Sequence, residues 1–297
     1  FEERFTNELC RLLKASGCIA VSGGLEVASD RLLAKMKKGI TVSKVAKVSR
    51  NCTDAGIMVH AYLMYGFPTQ TVQETVDSLE MVRQLFENGI IQSGFWHQFA
   101  MTAHAPVGLD PTGFGVSFSG PEHLGFAKND LRHEDPLGAD HSLFGEGLRV
   151  SLYNYMNGAG FDLALSKWFD FKIPATSIPP HFILQEIEKN PEKQPTAVSQ
   201  LIWIGAKPEY NVVKKNGMEI AELSLITKSD EDTLIFDLKT AQWLNHTLTD
   251  LMPSAHHQKT TYQDFKNDFK SHQLGDFEEF YNNPSMKKIK ELGLLVI

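Results

Sequence analysis

Cys18-Ile19-Ala20-Val21-Ser22-Gly23-Gly24-Leu25-Glu26 opens a stretch that runs to Gly66-Phe67-Pro68 and decides the fold. An apolar run ends in a polar, glycine-rich turn, and a helical segment then closes on Lys37-Lys38-Gly39. A second helix is expected over roughly Val42–Ala55, followed by a second apolar run, Ile57–Tyr65, ending in Gly66-Phe67-Pro68. Strand, turn, helix, strand is a βαβ pattern, which implies parallel strands with crossover helices packed on them. Ligands of parallel α/β folds sit at the carboxyl ends of the strands. Ser22–Glu26 and Gly66–Pro68 fall there, so both turns are expected on one rim.

Working outward, Leu9, Leu12 and Leu13 give a first helix, Glu2–Ala15, its apolar face, and Gly17 stands in the stop position. Ser29 or Asp30, Thr41 and Thr71 are placed to cap the helices that follow. Val72, Val76, Leu79, Val82 and Phe86 form the stripe of a long helix that Asn88-Gly89 closes, and a third strand is expected at about Gly94–Met101. Regularity then stops. Residues 102–145 are dense in Gly, Pro, His and Asp, and a loop of that length inside a domain is usually functional or mobile. Helices are expected at Leu148–Asn157 and, capped by Ser177–Pro180, through Ile187, with a short aromatic segment at Phe161–Phe171 between them. The charged, proline-containing Lys189–Thr196 is the expected boundary, giving a first domain of 1–190 and a second of 197–297. In the second, Leu201–Ile204, Tyr210–Lys214, Met218–Leu225 and Thr233–Asp237 read as short strands, with Asn216-Gly217 as a hairpin signal. Helices are expected at Thr240–Leu251, Thr260–Ser271 and Asp276–Leu292, before the apolar tail Leu294–Ile297. The expected class is α/β: a partial (βα) barrel followed by a small α+β domain, with a winged-helix-like tail as the alternative.

Composition narrows the function classes. The chain has 297 residues, 42% hydrophobic and 22% charged, as in an ordinary globular protein. A net charge of −7 argues against a nucleic-acid footprint, and no apolar run approaches the roughly 20 residues of a membrane helix. Three cysteines, Cys10, Cys18 and Cys52, are an odd count without a CxxC pair. Cys18 and Cys52 are expected as buried structural thiols in a reducing cytoplasmic interior. The chain begins with Phe1, and its first helix runs at once into the strand at Cys18, so the expectation is a sequence entered in mid-domain.

The chemistry-bearing candidates each have a plain structural reading. Glu26 lies just past an apolar strand beside two glycines, where it can accept hydrogen bonds from a ribose or an amino group, or simply assist the next helix N-terminus. Lys37 and Lys38 sit where cations meet a helix C-terminus favourably. The Tyr65–Pro68 turn can offer backbone groups to a flat ring, or only turn. Trp96 and Gln98 share one face of the third strand and His97 the other. His104, His123, His133 and His141 share the long loop with several Asp and Glu residues, but without HxxxH or HxH spacing. Loop composition is therefore preferred there to a metal site.

Taken in order, Leu12-Leu13-Lys14-Ala15-Ser16-Gly17-Cys18, Gly23-Gly24-Leu25-Glu26, Ser29-Asp30-Arg31-Leu32-Leu33 and Met36-Lys37-Lys38-Gly39-Ile40-Thr41 resemble the fourth strand and helix of radical S-adenosylmethionine (SAM) enzymes. The resemblance is to the branch with cobalamin-binding members and methylthiotransferases. Ala55-Gly56-Ile57 through Tyr62–Pro68 is similar to that family's fifth strand and Gly-Phe-Pro turn, and Trp96-His97-Gln98-Phe99 through His104-Ala105-Pro106 to its sixth strand and exit. The resemblance spans roughly residues 1–180. It implies a partial (βα)₆ barrel, a [4Fe–4S] cluster on a CxxxCxxC loop with SAM as its fourth partner, and a 5′-deoxyadenosyl radical that abstracts hydrogen from substrate. It further implies that Ser22, Gly23, Gly24 and Glu26 line the SAM ribose or methionyl end and that Lys38 faces the SAM carboxylate. Leu63, Met64, Tyr65 and Gly66 would supply backbone contacts to adenine, and His97 and Gln98 would lie near SAM or substrate.

Two departures from the family pattern stand out: Val27-Ala28 follow Glu26 where relatives often carry Ser-Gly, and Thr69-Gln70-Thr71 replaces Gly-Glu-Thr. The CxxxCxxC loop is nowhere in the chain. The expectation is the C-terminal portion of a radical SAM oxidoreductase-like enzyme, cytoplasmic, inactive by itself, and partnered by the remaining half of the barrel and an unidentified substrate. Cobalamin use stays open. The strand at Cys18 is expected to present a bare parallel edge, covered by other chain or by a second copy. The rivals are a non-catalytic binding module and an α/β hydrolytic or metal enzyme using the His-rich loop.

Overall fold

A computed structural model describes residues 2–120, 129–189, 194–215, 218–228, 230–253 and 259–297. The chain divides into two compact units: residues 1–5 with 18–191, and residues 6–17 with 192–297.

The first unit is built on three strands, β1 (Ala20–Glu26), β2 (Met58–Tyr65) and β3 (Ser93–Gln98), hydrogen-bonded in that order and parallel throughout. Between them run α2 (Asp30–Lys35), α3 (Val42–Asp54) and α4 (Val72–Glu87). The side chains of Ser29, Thr41 and Thr71 cap these helices, Thr71 in a capping box with Glu74, as hydroxyls preceding a helix should. The α/β expectation holds: three parallel strands with crossover helices, consistent with part of a βα barrel wall.

Alternation along the strands gives the sheet two unlike faces. Val59, Ala61, Leu63, Tyr65 and Trp96 are buried on the face covered by helices, and a β-carbon on Gly94 would meet Leu63 and Leu152 there. On the other face, Met58, Tyr62 and Phe95 are 54%, 47% and 58% exposed. The register sets Ser22, His60 and Ser93 in one row across this open face, and Gly24, Tyr62 and Phe95 in the next. His60 Nδ1 and Ser93 Oγ lie 2.8 Å apart, and the Phe95 ring stacks on His97. Parallel sheets are ordinarily covered on both faces. Here aromatic side chains with the character of an interior line the uncovered one.

The long loop is a folded cap. Met101–Thr102 (β4) pairs with Asp130–Leu131 (β6), and Ser117–Phe118 (β5) with His133–Glu134 (β7), around a short helix, α5 (Pro106–Leu109). Met101, Val107 and Val116 bury themselves with Val27, Leu32 and Phe67 at the carboxyl rim of the sheet. Helix α6 (Gly145–Met156) then packs on β3. Ser177 does not cap the next helix as expected. Its hydroxyl and N–H, with the Thr176 hydroxyl, bond the Asp77 carboxylate on α4, and α7 (Phe182–Glu188) starts from His181 in a left-handed conformation. Cys52 is buried as expected, but Cys18 is half-exposed, because it precedes β1 beyond the helix cover.

The second unit holds helix α1 (Asn7–Ala15), which the sequence alone places at the front of the barrel. Arg11 on α1 donates to the carbonyls of Lys290 and Glu291, and the Lys228 ammonium to that of Ala15. Strand β8 (Leu201–Trp203) precedes an antiparallel sheet of β9 (Glu209–Lys215), β10 (Met218–Ile226) and β11 (Glu231–Phe236). Asn216 and Gly217, the expected hairpin turn, lie outside the described residues. Helices α8 (Leu238–Asp250), α9 (Tyr262–Ser271), α10 (Phe277–Asn282) and α11 (Pro284–Leu292) follow, and β12 (Leu294–Val296) returns to pair with β8. The single helix expected over 276–292 breaks at Asn283-Pro284, because proline lacks the N–H a continuous helix needs while suiting the first turn of a new one. The core gathers Trp203, Leu223, Leu225, Trp243, Phe265, Phe269 and Phe277.

Asp77 accepts four hydrogen bonds, three of them from Thr176 and Ser177. Removing it strands these donors, so Asp77→Ala is expected to lower the stability of the first unit by about 2–3 kcal/mol in urea unfolding, and Asp77→Asn by less.

Candidate functional site

The carboxyl ends of β1 and β2 form one rim, and backbone strain concentrates on it. Glu26, Lys37 and Thr69 all have positive φ (59°, 56° and 69°), a conformation that costs non-glycine residues energy and is worst for a β-branched one. At Glu26 the ladder bulges between Gly24 and Glu26, and the side chain folds back over Gly24. A β-carbon on Gly24 would collide with the Glu26 carboxylate, so glycine leaves room for the side chain to lie in this position. At Lys37 the left-handed turn ends the α2 segment and sends Lys38 back toward the strand. Lys38 Nζ reaches Glu26 Oε1 at 2.8 Å. The carboxylate is largely sheltered, at 13% exposure, and the ammonium is open, at 46%. Glu26 therefore does not assist a helix N-terminus. Ser29 caps α2 instead.

The end of β2 is held from several directions. Gln70 is buried, and its Oε1 accepts the Gly66 and Phe67 N–H groups at 2.7 and 3.2 Å. Arg31 forks onto Glu74 with two 2.7 Å bonds and also donates to the Thr69 hydroxyl and carbonyl. Lys35 Nζ donates to the same hydroxyl at 3.2 Å, and Asp135 of the loop accepts the Thr69 N–H at 2.6 Å. Burial, and then the charge of Arg31, hold the Lys35 ammonium below its ordinary pKa. Burial alone would raise the Glu74 carboxyl, but the Arg31 fork, the Thr71 N–H and the Ser29 hydroxyl override it and hold it at about 2.

The expected site residues thus separate into groups. Gly24, Glu26 and Lys38 come together, with Ser22 two residues back on the open face. His97 lies on that same face, against Phe95. The Gln98 Cγ approaches the far side of Gly66, 3.6 Å from where a β-carbon would stand. Gly23 alternates toward the helices, and Leu63 and Tyr65 bury their side chains there, so these residues can offer only backbone to the rim. Met64 packs beneath the loop cap. Some of that backbone is engaged: the Tyr65 carbonyl accepts from Phe99 N–H and the Gly66 N–H donates to Gln70.

Sequence reasoning missed Arg31, Lys35, Thr69 and Gln70, and assigned His141 and the loop acids, Asp135 among them, to loop composition. The like-charged Arg31 and Lys35 one helical turn apart, and threonine where the turn resembles a glycine position, were the available signals. Of the loop histidines, His104 is exposed, His133 stands edge-on to Phe99, His141 is buried, and His123 lies outside the described residues. Among the described residues no three His, Cys, Asp or Glu side chains stand together as a metal site requires. Of the thiols, Cys10 is on α1 in the second unit, while in the first unit Cys52 is inside α3 and Cys18 precedes β1.

The depressed Glu74 pKa has a stability consequence. It stabilises the fold above the unfolded carboxylate pKa near 4.5, and that contribution is lost as pH falls toward 2. Glu74→Gln is expected to lower stability at pH 7 by on the order of 2 kcal/mol, allowing for the exposure of Arg31. Its difference from the wild type should shrink to nothing near pH 2, as measured by urea unfolding at a series of pH values.

Comparison with known proteins bears on the same stretch. Residues 2–82, which hold β1, α2, α3, β2 and the Gly66-Phe67-Pro68 turn, match the family model of the Radical SAM superfamily. No curated protein matches the chain. Among the described residues no helix is long and apolar enough to cross a membrane.

Proposed function

We propose that this chain supplies the nucleoside side of a SAM site in a radical SAM iron–sulfur oxidoreductase-like enzyme, and that polypeptide outside these residues carries the cluster cysteines. The observation that carries this reading is the strained Glu26 turn. A carboxylate is held over Gly24 at the end of a parallel strand, where ligands of such folds bind, and is paired with a lysine open to solvent. Glu26 would accept from the ribose hydroxyls or the methionyl amine. Lys38 would turn from Glu26 to the methionyl carboxylate. Gly66, with Gln98 beside it, would face adenine. SAM supplies the radical chemistry of the family. The residues of this chain bind and orient it.

The open aromatic face agrees with this reading, since it has the composition of a barrel interior and β1 has no partner on its outer side among the described residues. A scaffold role for the half-barrel is the competing reading, favoured by the ion pair that Glu26 and Lys38 already form with each other.

Saturation-transfer NMR with S-adenosylhomocysteine decides between them. The account expects weak binding with saturation of the adenine and ribose protons, reduced about tenfold in affinity by Glu26→Gln, the loss expected for one charge-assisted hydrogen bond. Absence of saturation, or saturation that survives both Glu26→Gln and Lys38→Met, contradicts the nucleoside site. After iron and sulfide reconstitution under reducing conditions, the chain alone is expected to give no 5′-deoxyadenosine from SAM. Product above a no-protein control contradicts the assignment of the cluster to other polypeptide.

A further inference from the structure

The turn Gly66–Gln70 is an unstable piece of backbone standing where a ligand is proposed to sit. It has left-handed residues at both Gly66 and Thr69, and the second is a threonine. Such a turn persists only when its surroundings over-determine it. Part of that determination comes from the loop cap, through His141.

His141 is buried against the turn. Its Nδ1 lies 2.8 Å from the Ala139 carbonyl, which can only accept, so Nδ1 carries the proton. Nε2, 3.0 Å from the Thr75 hydroxyl, then accepts from it. Burial holds the imidazole below its ordinary pKa, which keeps it in this neutral form. One ring therefore joins two segments: the loop through Ala139, and the first turn of α4 through Thr75. The Ala139 N–H in turn donates to the Gln70 carbonyl at 3.1 Å. A β-carbon on Gly66 would stand 3.2 Å from His141 Cβ, so the imidazole closes the outer side of the left-handed glycine. Phe144 packs against the ring from behind.

We propose that His141 is a positioning residue for the nucleoside side of the site: it clamps the long loop onto the Gly66–Gln70 turn and so fixes the backbone that is to meet adenine. The clamp rests on the proposed function only for what it serves; the mechanical link is a property of this chain. His141 thus acts on the turn through packing and two hydrogen bonds.

Hydrogen exchange measured by mass spectrometry on the full 297-residue chain tests the clamp. In His141→Ala, exchange of a peptide covering residues 63–71 is expected to accelerate about tenfold or more, while a peptide from α3 is unchanged. His141→Gln can place an amide near the position of Nε2 and keep the Thr75 bond, so it is expected to return exchange to within about threefold of wild type. With S-adenosylhomocysteine as probe, adenine-proton saturation should fall in His141→Ala and recover in His141→Gln. Unchanged exchange at 63–71 in His141→Ala overturns the clamp, as does equal acceleration throughout the first unit without rescue by glutamine. The exchange arm contains no ligand. Failure of the nucleoside site would appear as missing saturation in the wild type, and failure of the clamp as normal exchange in the variant.

Discussion

The first unit depends on a parallel sheet that, among its described residues, is covered on one face only. Parallel strands need crossover helices, the helices settle on one side, and the side chains facing them form the core. Leu63, Trp96 and Ala61 do so here, while Tyr62, Phe95 and Met58 alternate to the other face and remain exposed. Burying those three rings and chains would contribute on the order of 1.5–3 kcal/mol each. That makes the open face a surface with strong reason to be covered. The outer edge of β1, which has no strand partner among the described residues, adds backbone hydrogen-bonding groups with the same need.

Strain is distributed with equal economy. Glu26, Lys37 and Thr69 are three of the five described non-glycine residues with positive φ, and all three stand at the rim. Each is held by named partners: Glu26 by Lys38, and Thr69 by Arg31, Lys35 and Asp135. Arg31 and Lys35 would repel one another on an isolated helix. Converging on one hydroxyl oxygen, with Glu74 forked onto Arg31, they instead pin a turn that would otherwise relax. Gln70 completes the arrangement from inside by accepting two backbone N–H groups that an acid at this position would also satisfy.

The strand and helix order of residues 18–101 was legible because apolar periodicity, hydroxyl caps and glycine stops agree at every step. Ser29, Thr41 and Thr71 cap where their sequence context says they should. Glu26 was legible as a site candidate from its place after a strand and two glycines, but its pairing with Lys38 was not, because it depends on a left-handed Lys37 that no residue preference announces. The role of Ser177 was misread because a distant carboxylate, Asp77, competes for its hydroxyl, and local capping rules carry no information about partners a hundred residues away. The loop cap was opaque for the same reason. Its ladders are two residues long, below what alternation can signal, and its cohesion comes from contacts with the rim. His141 looked like one loop histidine among four until burial singled it out.

The most direct test of the account asks whether the open face is an interior. Hydroxyl-radical footprinting of Met58, Tyr62 and Phe95 would be compared between the purified 297-residue chain and the protein as isolated from its source. The account predicts ready oxidation of all three in the isolated chain and strong protection in the native protein, with the exposed Tyr153 on α6 as an internal reference labelled in both. Equal labelling of the three in the native protein would show that the face is left bare, and would contradict the reading of this sheet as half of a barrel.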